Sequence, residues 1–319
     1  MHGKPGDAKE ICAVGARAPN AGRMTDQEFE QRIVEWARGQ ADLAALVQIG
    51  SRARVNGEVD AWSDWDYHLI TSDPARYLGT EWLAQVAPVW SAHVERTPRG
   101  VSKLSAVFTG GHEVDFVPLA AWQMKLVYWA MARPGLAGLF PAALLRGIAN
   151  TRLVVGPGHR VVLGGAEWER RLAALAVPWP EPGFGTENFQ AHCAAFWRHA
   201  VWVQKKICRG EVRAAMRWNQ REVMEHLLAL LEEEARLAGR PVRPEARKAE
   251  QWLDDRRLAQ TAIPVAPDQR TLARALLAEI ALFEEVSRSV ALGRGFTLPD
   301  DAAVAAWLRA ELTPLAGPA

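Results

Sequence analysis

The chain has 319 residues, of which 49% are hydrophobic and 24% are charged, a composition typical of a soluble globular protein rather than a disordered or fibrous one. Its 38 basic and 37 acidic residues give a formal charge of +1, too weak a field to favour nucleic acid or an anionic membrane as a partner. Three widely spaced cysteines form neither a disulfide framework nor a paired metal site, which favours a reducing compartment, most simply the cytoplasm.

The N-terminal residues carry no targeting pattern. Residues 1–23 mix glycine, proline and charged residues without an apolar core, so we expect a flexible tail and not a signal peptide. The most apolar stretch, residues 126–145, is interrupted by Arg133-Pro134 and by Pro141, and what remains is too short to cross a bilayer. The sequence therefore predicts a cytoplasmic protein without a membrane partner.

The N-terminal part of the chain mixes short apolar runs with helical patterns. Thr25 and Glu28 have the spacing of a capping box, which predicts a helix over residues 25–38. The other elements predicted in this part are strands over 43–49 and 67–71, a helix over 75–90, and strands over 104–109 and 113–119 joined by Gly110-Gly111. These elements predict a small mixed α/β unit.

From residue 121 onward the pattern is mostly helical. Residues 177–186 contain three prolines, which exclude a continuous helix and predict a linker. The helices predicted beyond it span 187–209, 212–238, 245–258, 268–291 and 301–311. The predicted fold class is α+β. A domain at 24–176 with a small mixed β-sheet flanked by helices precedes an α-helical bundle domain at 187–319.

Three acidic residues fall where neighbouring strands are predicted to meet. Asp64 and Asp66 are two positions apart at the start of the predicted strand 67–71, so alternation places both carboxylates on one face. Asp115, with Glu113 on the same face, reaches this place from a following apolar strand. Carboxylate oxygens in such a group are the ligands that Mg²⁺ prefers.

A short turn precedes these acids. Gly50-Ser51 ends the first predicted strand and offers backbone N–H groups and a hydroxyl to a phosphate, while Arg52 adds further donors. A Gly-Ser turn alone is usually only a turn, and an Asp-x-Asp pair alone is usually solvated. The combination of this turn with three carboxylates predicts a two-metal phosphoryl- or nucleotidyl-transfer site.

The same residues resemble a known family. The run GSR, followed by D-W-D-Y and then V-D-F-V-P-L, resembles the aminoglycoside 6-adenylyltransferase (streptomycin adenylyltransferase) family of the DNA polymerase beta-like nucleotidyltransferase superfamily. Phe196-Trp197 with residues 203–211 is similar to that family's FW…V-x-K…R-x-E helix. The resemblance extends over roughly residues 25–295. The family tends to carry an acid just before its FW pair, whereas Ala194-Ala195 stand here.

The resemblance implies an antibiotic-resistance enzyme. The implied reaction is Mg²⁺-dependent transfer of AMP from ATP to a hydroxyl of a streptomycin-type aminoglycoside, with release of pyrophosphate. Asp64 and Asp66 would bind two Mg²⁺ ions, and Asp115 would complete the catalytic metal site. The nucleotide-binding residues implied are Gly50, Ser51 and Arg52 at the β- and γ-phosphates and Lys205 at the triphosphate.

Some assignments stay open at this point. Asp115 is the first choice for the general base and Glu113 the second. Residues 43–119 contain nine acidic and six basic residues, which suits a polycationic acceptor such as an aminoglycoside.

Two alternative functions also stay open. One is the same chemistry on a lincosamide or a metabolite, and the other is a non-catalytic nucleotide-binding or toxin–antitoxin-type module. Nucleic acid is not expected, because no region combines a basic patch with interleaved aromatic residues. The expected assembly is a monomer or weak homodimer.

Overall fold

The structure is a computed structural model that describes residues 24–54, 59–60, 62–97, 100–179, 183–243 and 245–317. The predicted tail, residues 1–23, and positions 180–182 of the predicted linker lie outside the described residues. The chain divides into two compact units, Met1–Glu181 and Pro182–Ala319. None of the helices in the described part is long and apolar enough to cross a membrane.

The first unit combines six strands with four α-helices among its described residues. In chain order these elements are α1 (Asp26–Arg38), β1 (Leu43–Ile49), β2 (Trp65–Thr71), β3 (Val89–Arg96), β4 (Ser102–Phe108), β5 (His112–Ala120), α2 (Ala121–Met131), α3 (Ala142–Val155), β6 (Arg160–Leu163) and α4 (Gly165–Leu172).

The predicted capping box begins α1. The Glu28 backbone N–H donates to Thr25 Oγ1 at 3.2 Å, and the Thr25 backbone N–H donates to Glu28 Oε2 at 2.7 Å. These bonds satisfy N–H groups that have no partner within the helix. The apolar side chains of α1, led by Phe29 and Ile33, are fully buried against the sheet, so the predicted helix is confirmed.

The six strands form one mixed sheet in the order β3-β4-β5-β2-β1-β6. β2 and β5 are parallel, and the other neighbouring pairs are antiparallel. The predicted hairpin joins β4 to β5, with Gly110 and Gly111 at φ values of 96° and 79° that side chains rarely tolerate. The mixed sheet confirms the predicted fold class for this unit.

The two faces of the sheet are covered differently. One face, which we call the α1 face, packs Trp65, Tyr67 and Phe116 against α1. The opposite face carries Ile49 and Ile70 and is covered there by side chains of α2, α3 and α4. Because side chains alternate along a strand, Asp66 and Asp115 belong to this second face, which we call the site face.

In the first unit, two parts of the predicted secondary structure are wrong. Residues 75–90 form the short 3₁₀ turns Ala75–Leu78 and Leu83–Gln85 followed by the start of β3, because Gly79 and Pro88 interrupt the helical spacing. The edge strands β3 and β6 were not predicted. β3 is exposed along most of its length, so its sequence lacks the apolar alternation of a half-buried strand.

The second unit is helical throughout its regular elements. These are α5 (Thr186–Cys208), α6 (Val212–Trp218), a π-helical turn (Asn219–Val223), α7 (Met224–Leu237), α8 (Ala249–Trp252), α9 (Asp255–Thr261), α10 (Gln269–Arg294) and α11 (Ala302–Ala316). Phe196 and Trp197 are buried in its core, where Phe196 stacks on Phe283 with ring centroids 3.6 Å apart. The predicted helical bundle is confirmed.

Candidate active site

Asp66 and Asp115 lie side by side on the two parallel strands of the sheet. β2 and β5 pair with Asp66 opposite Asp115 and with Trp65 opposite Val114. Trp65 and Val114 are buried on the α1 face, so the two carboxylates extend from the site face. The structure therefore brings together two of the three aspartates that the sequence singled out.

The Gly50-Ser51 turn lies against the Asp66 carboxylate. Gly50 has φ 74° and ψ −157°, a conformation confined in practice to glycine. A β-carbon at Gly50 would come within 2.1 Å of Asp66 Oδ2. Ser51 Oγ is buried and has no hydrogen-bond partner in the described part of the chain. The turn thus places the Gly50 backbone beside a carboxylate and carries an unused hydroxyl on the next residue.

Asp64 lies just before β2, which begins at Trp65, so strand alternation does not determine its direction. Asp64 is exposed and lines a small cavity of about 120 Å³ together with Glu113. Within the described residues, the Glu113 side chain makes no hydrogen bond or ion pair. The four acids of the predicted site are therefore distributed as a paired Asp66 and Asp115 and a more exposed Asp64 and Glu113.

Asp115 is held by two residues of β4. Lys103 Nζ lies 2.5 Å from Asp115 Oδ2, and Ser105 Oγ donates to Asp115 Oδ1 at 2.5 Å. Lys103 Nζ also lies 2.9 Å from Oε1 of Glu95 on β3, and Ser105 Oγ is 2.9 Å from the same Glu95 oxygen. A lysine between two carboxylates is thus part of the site face beside Asp115.

The charges of this group reinforce one another. Burial alone would lower the pKa of Lys103, but hydrogen bonds and charges from Asp115 and Glu95 outweigh it and raise that pKa above its ordinary value. The hydrogen bond and the charge of Lys103, with the nearby Ser105 hydroxyl, lower the pKa of Glu95. Lys103 is therefore a cation, and Glu95 an anion, at neutral pH.

Arg52 uses its donors within the protein. Its guanidinium stacks on the Trp65 ring with the Cζ atom 3.6 Å from the ring centroid. Nε and Nη2 donate to the Ser63 carbonyl at 3.0 and 2.8 Å, and Nη2 pairs with Asp26 Oδ2 at 2.8 Å. Arg52 thus fixes the segment that leads into Asp64, a role that the sequence did not indicate.

Lys205, the remaining predicted nucleotide-binding residue, lies in the last turn of α5 in the second unit. Its side chain is exposed and has no ion pair among the described residues. The adjacent Lys206 differs, because it pairs with Glu211 at 2.8 Å. Lys205 is therefore available to an anionic ligand, and its role stays a prediction.

The residues beside Asp66 fit a divalent cation with a phosphate ligand, although the carboxylates are not gathered into a closed metal site. Within the described residues, no group of three His, Cys, Asp or Glu side chains is placed to hold a metal ion. The observation in favour is the donor set itself, in which adjacent Asp66 and Asp115 supply hard oxygens. The buried, unpartnered hydroxyl of Ser51 belongs to the same turn as Gly50, where a β-carbon would collide with the Asp66 carboxylate.

The sequence missed Lys103, Ser105 and Glu95. Lys103 and Ser105 could have been inferred from the sequence, because a hairpin closed at Gly110-Gly111 places Ser105 opposite Asp115 and Lys103 two residues farther on the same face. Glu95 could not be inferred in this way, because β3, the strand that contains it, was predicted as part of a helix and a loop.

Comparison with known proteins gives one family. Residues 183–310 match the family model described as streptomycin adenylyltransferase, which confirms the resemblance to this family over the second unit. The motifs at residues 50–66 and 113–119 lie outside that match. The comparison with curated proteins gives no match.

Two solved structures are similar to the chain. An aminoglycoside 6-adenyltransferase from Bacillus subtilis is 13% identical with a TM-score of 0.40, over 90% of this chain and 98% of that one. A nucleotidyltransferase-like protein from Exiguobacterium sibiricum is 14% identical with a TM-score of 0.33, over 91% of this chain and 88% of that one.

Proposed function

We propose that the whole chain, and not only the matched residues 183–310, is a member of the streptomycin adenylyltransferase family and transfers AMP from ATP to a hydroxyl of an aminoglycoside. The structural observation that supports this proposal is the pairing of Asp66 with Asp115 beside the Gly50-Ser51 turn. The family match supports the same class of reaction.

The residues around the paired aspartates have proposed roles. Asp64, Asp66 and Asp115 would hold Mg²⁺, which when bound neutralises phosphate charge and stabilises the attacking and leaving oxygens. Gly50 allows the backbone to approach the β- and γ-phosphates closely, and the free hydroxyl of Ser51 donates to them. Arg52 has the role of holding the segment before Asp64, since its contacts are internal.

The reaction itself is an in-line displacement. The acceptor oxygen forms a bond to the α-phosphorus of ATP, and the bond from that phosphorus to the bridging oxygen breaks to release pyrophosphate. The hydroxyl proton passes to a carboxylate, for which Asp115 is the first choice and Glu113 the second. Both Asp115 oxygens are engaged by Lys103 and Ser105, whereas Glu113 is exposed.

The proposed class of acceptor follows from the negative charge around the paired aspartates. Glu95, Glu113 and Asp64 are acidic groups near the paired aspartates, and such a surface attracts a polycation. Streptomycin-type aminoglycosides are polycationic and rich in hydroxyls. A lincosamide or a hydroxylated metabolite carries less positive charge and is the second candidate acceptor.

The test is a transfer assay. The full chain is incubated with ATP, Mg²⁺ and a panel of aminoglycosides and lincosamides, and each mixture is examined for an AMP adduct by mass spectrometry and for released pyrophosphate. An adduct on a streptomycin-type acceptor, absent with Asp66→Asn, is the expected result. Nucleotide binding without an adduct on any acceptor would instead support the non-catalytic alternative.

A further inference from the structure

We propose that Lys103 is a built-in cation that a divalent metal ion must displace from Asp115, so that Lys103 sets the affinity of the site for Mg²⁺. This inference rests on the proposed function, because it concerns the metal site which that function requires. It assigns Lys103 to the regulation of metal binding rather than to contact with the reacting atoms.

Lys103 forms an ion pair with the carboxylate oxygen that the metal ion would need. Lys103 Nζ lies 2.5 Å from Asp115 Oδ2, and only a fifth of the lysine side chain is exposed. The other Asp115 oxygen accepts from Ser105. Mg²⁺ binds carboxylate oxygens at about 2.0–2.1 Å, and an ammonium group at the same oxygen would repel it. Lysine and metal therefore compete for Asp115.

Glu95 is a second anionic partner for the displaced lysine. Glu95 lies directly opposite Lys103 in the β3–β4 pairing, and its Oε1 is already 2.9 Å from Lys103 Nζ. The flexible lysine stem allows the ammonium group to leave Asp115 while it keeps its contact with Glu95. The metal ion would then replace Lys103 as the partner of Asp115, Lys103 would keep Glu95, and no charge would be left without a partner.

Three substitutions separate this arrangement from a merely structural ion pair. Lys103→Met removes the competing cation and is expected to tighten Mg²⁺ binding about tenfold. Lys103→Arg keeps the cation and is expected to stay within about threefold of the unchanged protein. Glu95→Gln removes the alternative partner and is expected to weaken Mg²⁺ binding about threefold. Lys125→Met removes a lysine that pairs with Glu167 at 3.7 Å and serves as the matched control.

The experiment measures metal binding directly on the full chain without nucleotide. Mg²⁺ affinity is obtained by calorimetry and checked with Mn²⁺ by electron paramagnetic resonance, after circular dichroism has shown that each variant is folded. A larger rise in thermal midpoint on adding Mg²⁺ to Lys103→Met than to the unchanged protein is the second expected result.

A third readout follows the lysine itself. Acetylation of Lys103, measured by mass spectrometry, is expected to rise when Mg²⁺ is added, while acetylation of Lys125 stays constant. Equal Mg²⁺ affinities for the unchanged protein and Lys103→Met, or unchanged Lys103 labelling, would overturn the inference. The proposed function is tested separately by the transfer assay. If AMP is transferred while the unchanged protein and Lys103→Met bind Mg²⁺ equally well, the role of Lys103 is refuted and the proposed adenylyl transfer is not.

Discussion

Gly50 and Asp66 lie so close together that a β-carbon on Gly50 would come within 2.1 Å of the Asp66 carboxylate. The contact joins the end of β1 to the start of β2, since Ile49 pairs with Asp66 across the two antiparallel strands. In the proposed site this approach would bring a metal ion held by Asp66 next to phosphates held by the turn, so that the ion and the turn would contact the same nucleotide.

Gly50→Ala is therefore expected to lower both stability and activity. The backbone conformation costs about 1–3 kcal/mol for a residue with a side chain, and displacing Asp66 adds about 1–3 kcal/mol. Gly100→Ala is the matched control, because Gly100 has φ 80° and a β-carbon added there would meet nothing within 4 Å. Urea unfolding and AMP transfer are measured for both. Equal losses in the two variants would mean that backbone strain alone matters and that the approach to Asp66 does not.

Asp66→Asn and Asp64→Asn are expected to reduce transfer by about 10³-fold or more, because metal-based charge stabilisation contributes several kcal/mol to catalysis. Asparagine has nearly the same shape as aspartate, so the thermal midpoint should change little. Asp73→Asn, an exposed acid just after β2, is the control and should transfer AMP normally. Retained activity in Asp66→Asn would refute its assignment as a metal ligand.

Arg52→Lys separates a positioning role from a phosphate-binding role. Lysine keeps the charge but loses the stacking on Trp65 and the two bonds to the Ser63 carbonyl. We expect a loss of about 1–2 kcal/mol in the free energy of unfolding and a lower kcat, with KM for ATP changed less than about twofold. A raised KM for ATP with unchanged stability would place Arg52 at the phosphates.

A control for that variant exists in the same unit. Arg76 pairs with Asp42 at 2.8 Å and lies over the Tyr77 ring at 5.3 Å, but it belongs to the turn after β2. Arg76→Lys is expected to lower stability without changing kcat. Equal kcat losses in the two variants would show that general destabilisation, and not the position of Asp64, limits transfer.

The parts of the site that the sequence predicted are those with local signals. The capping box of α1, the Gly-Ser turn and the β4–β5 hairpin each depend on residues within a few positions of one another. The adjacency of Asp66 and Asp115 depends instead on parallel pairing of β2 with β5, across an intervening pair of strands. The sequence supplied the three carboxylates and the expectation that neighbouring strands bring them together, but not the parallel register that places Asp66 opposite Asp115.

The lysine at the centre of the site was missed for a physical reason. Lys103 is identified as a partner of Asp115 only when the β4–β5 register is known, and Glu95 only when β3 is recognised as a strand. β3 is an exposed edge strand, so neither of its faces has the buried alternation that predicts a strand. The internal contacts of Arg52 were missed for a similar reason, since its partner is the backbone carbonyl of Ser63, and its role at the phosphates stays a prediction.

The second unit carries a buried acid that makes its stability depend on pH. Glu279, in the middle of α10, is fully buried and accepts one hydrogen bond from Asn219 Nδ2 at 2.7 Å. Its Oε2 atom has no partner in the described part of the chain. Burial raises the pKa of Glu279 to about 8 and outweighs the Asn219 hydrogen bond, which acts in the opposite direction. The folded unit therefore holds a proton there that the unfolded chain releases above about pH 4.5.

The folded state binds the extra proton between about pH 4.5 and about pH 8, so the unit loses stability as pH rises through this window. Glu279→Gln keeps the acceptor for Asn219 and carries no charge, and it should gain on the order of 4 kcal/mol over the unchanged protein by pH 8. At pH 4.5 the two proteins should be nearly equal. Urea unfolding from pH 4.5 to pH 9 measures the difference, with the exposed Glu225→Gln as control. Parallel curves for Glu279→Gln and the unchanged protein would show that Glu279 is ionised in the folded unit.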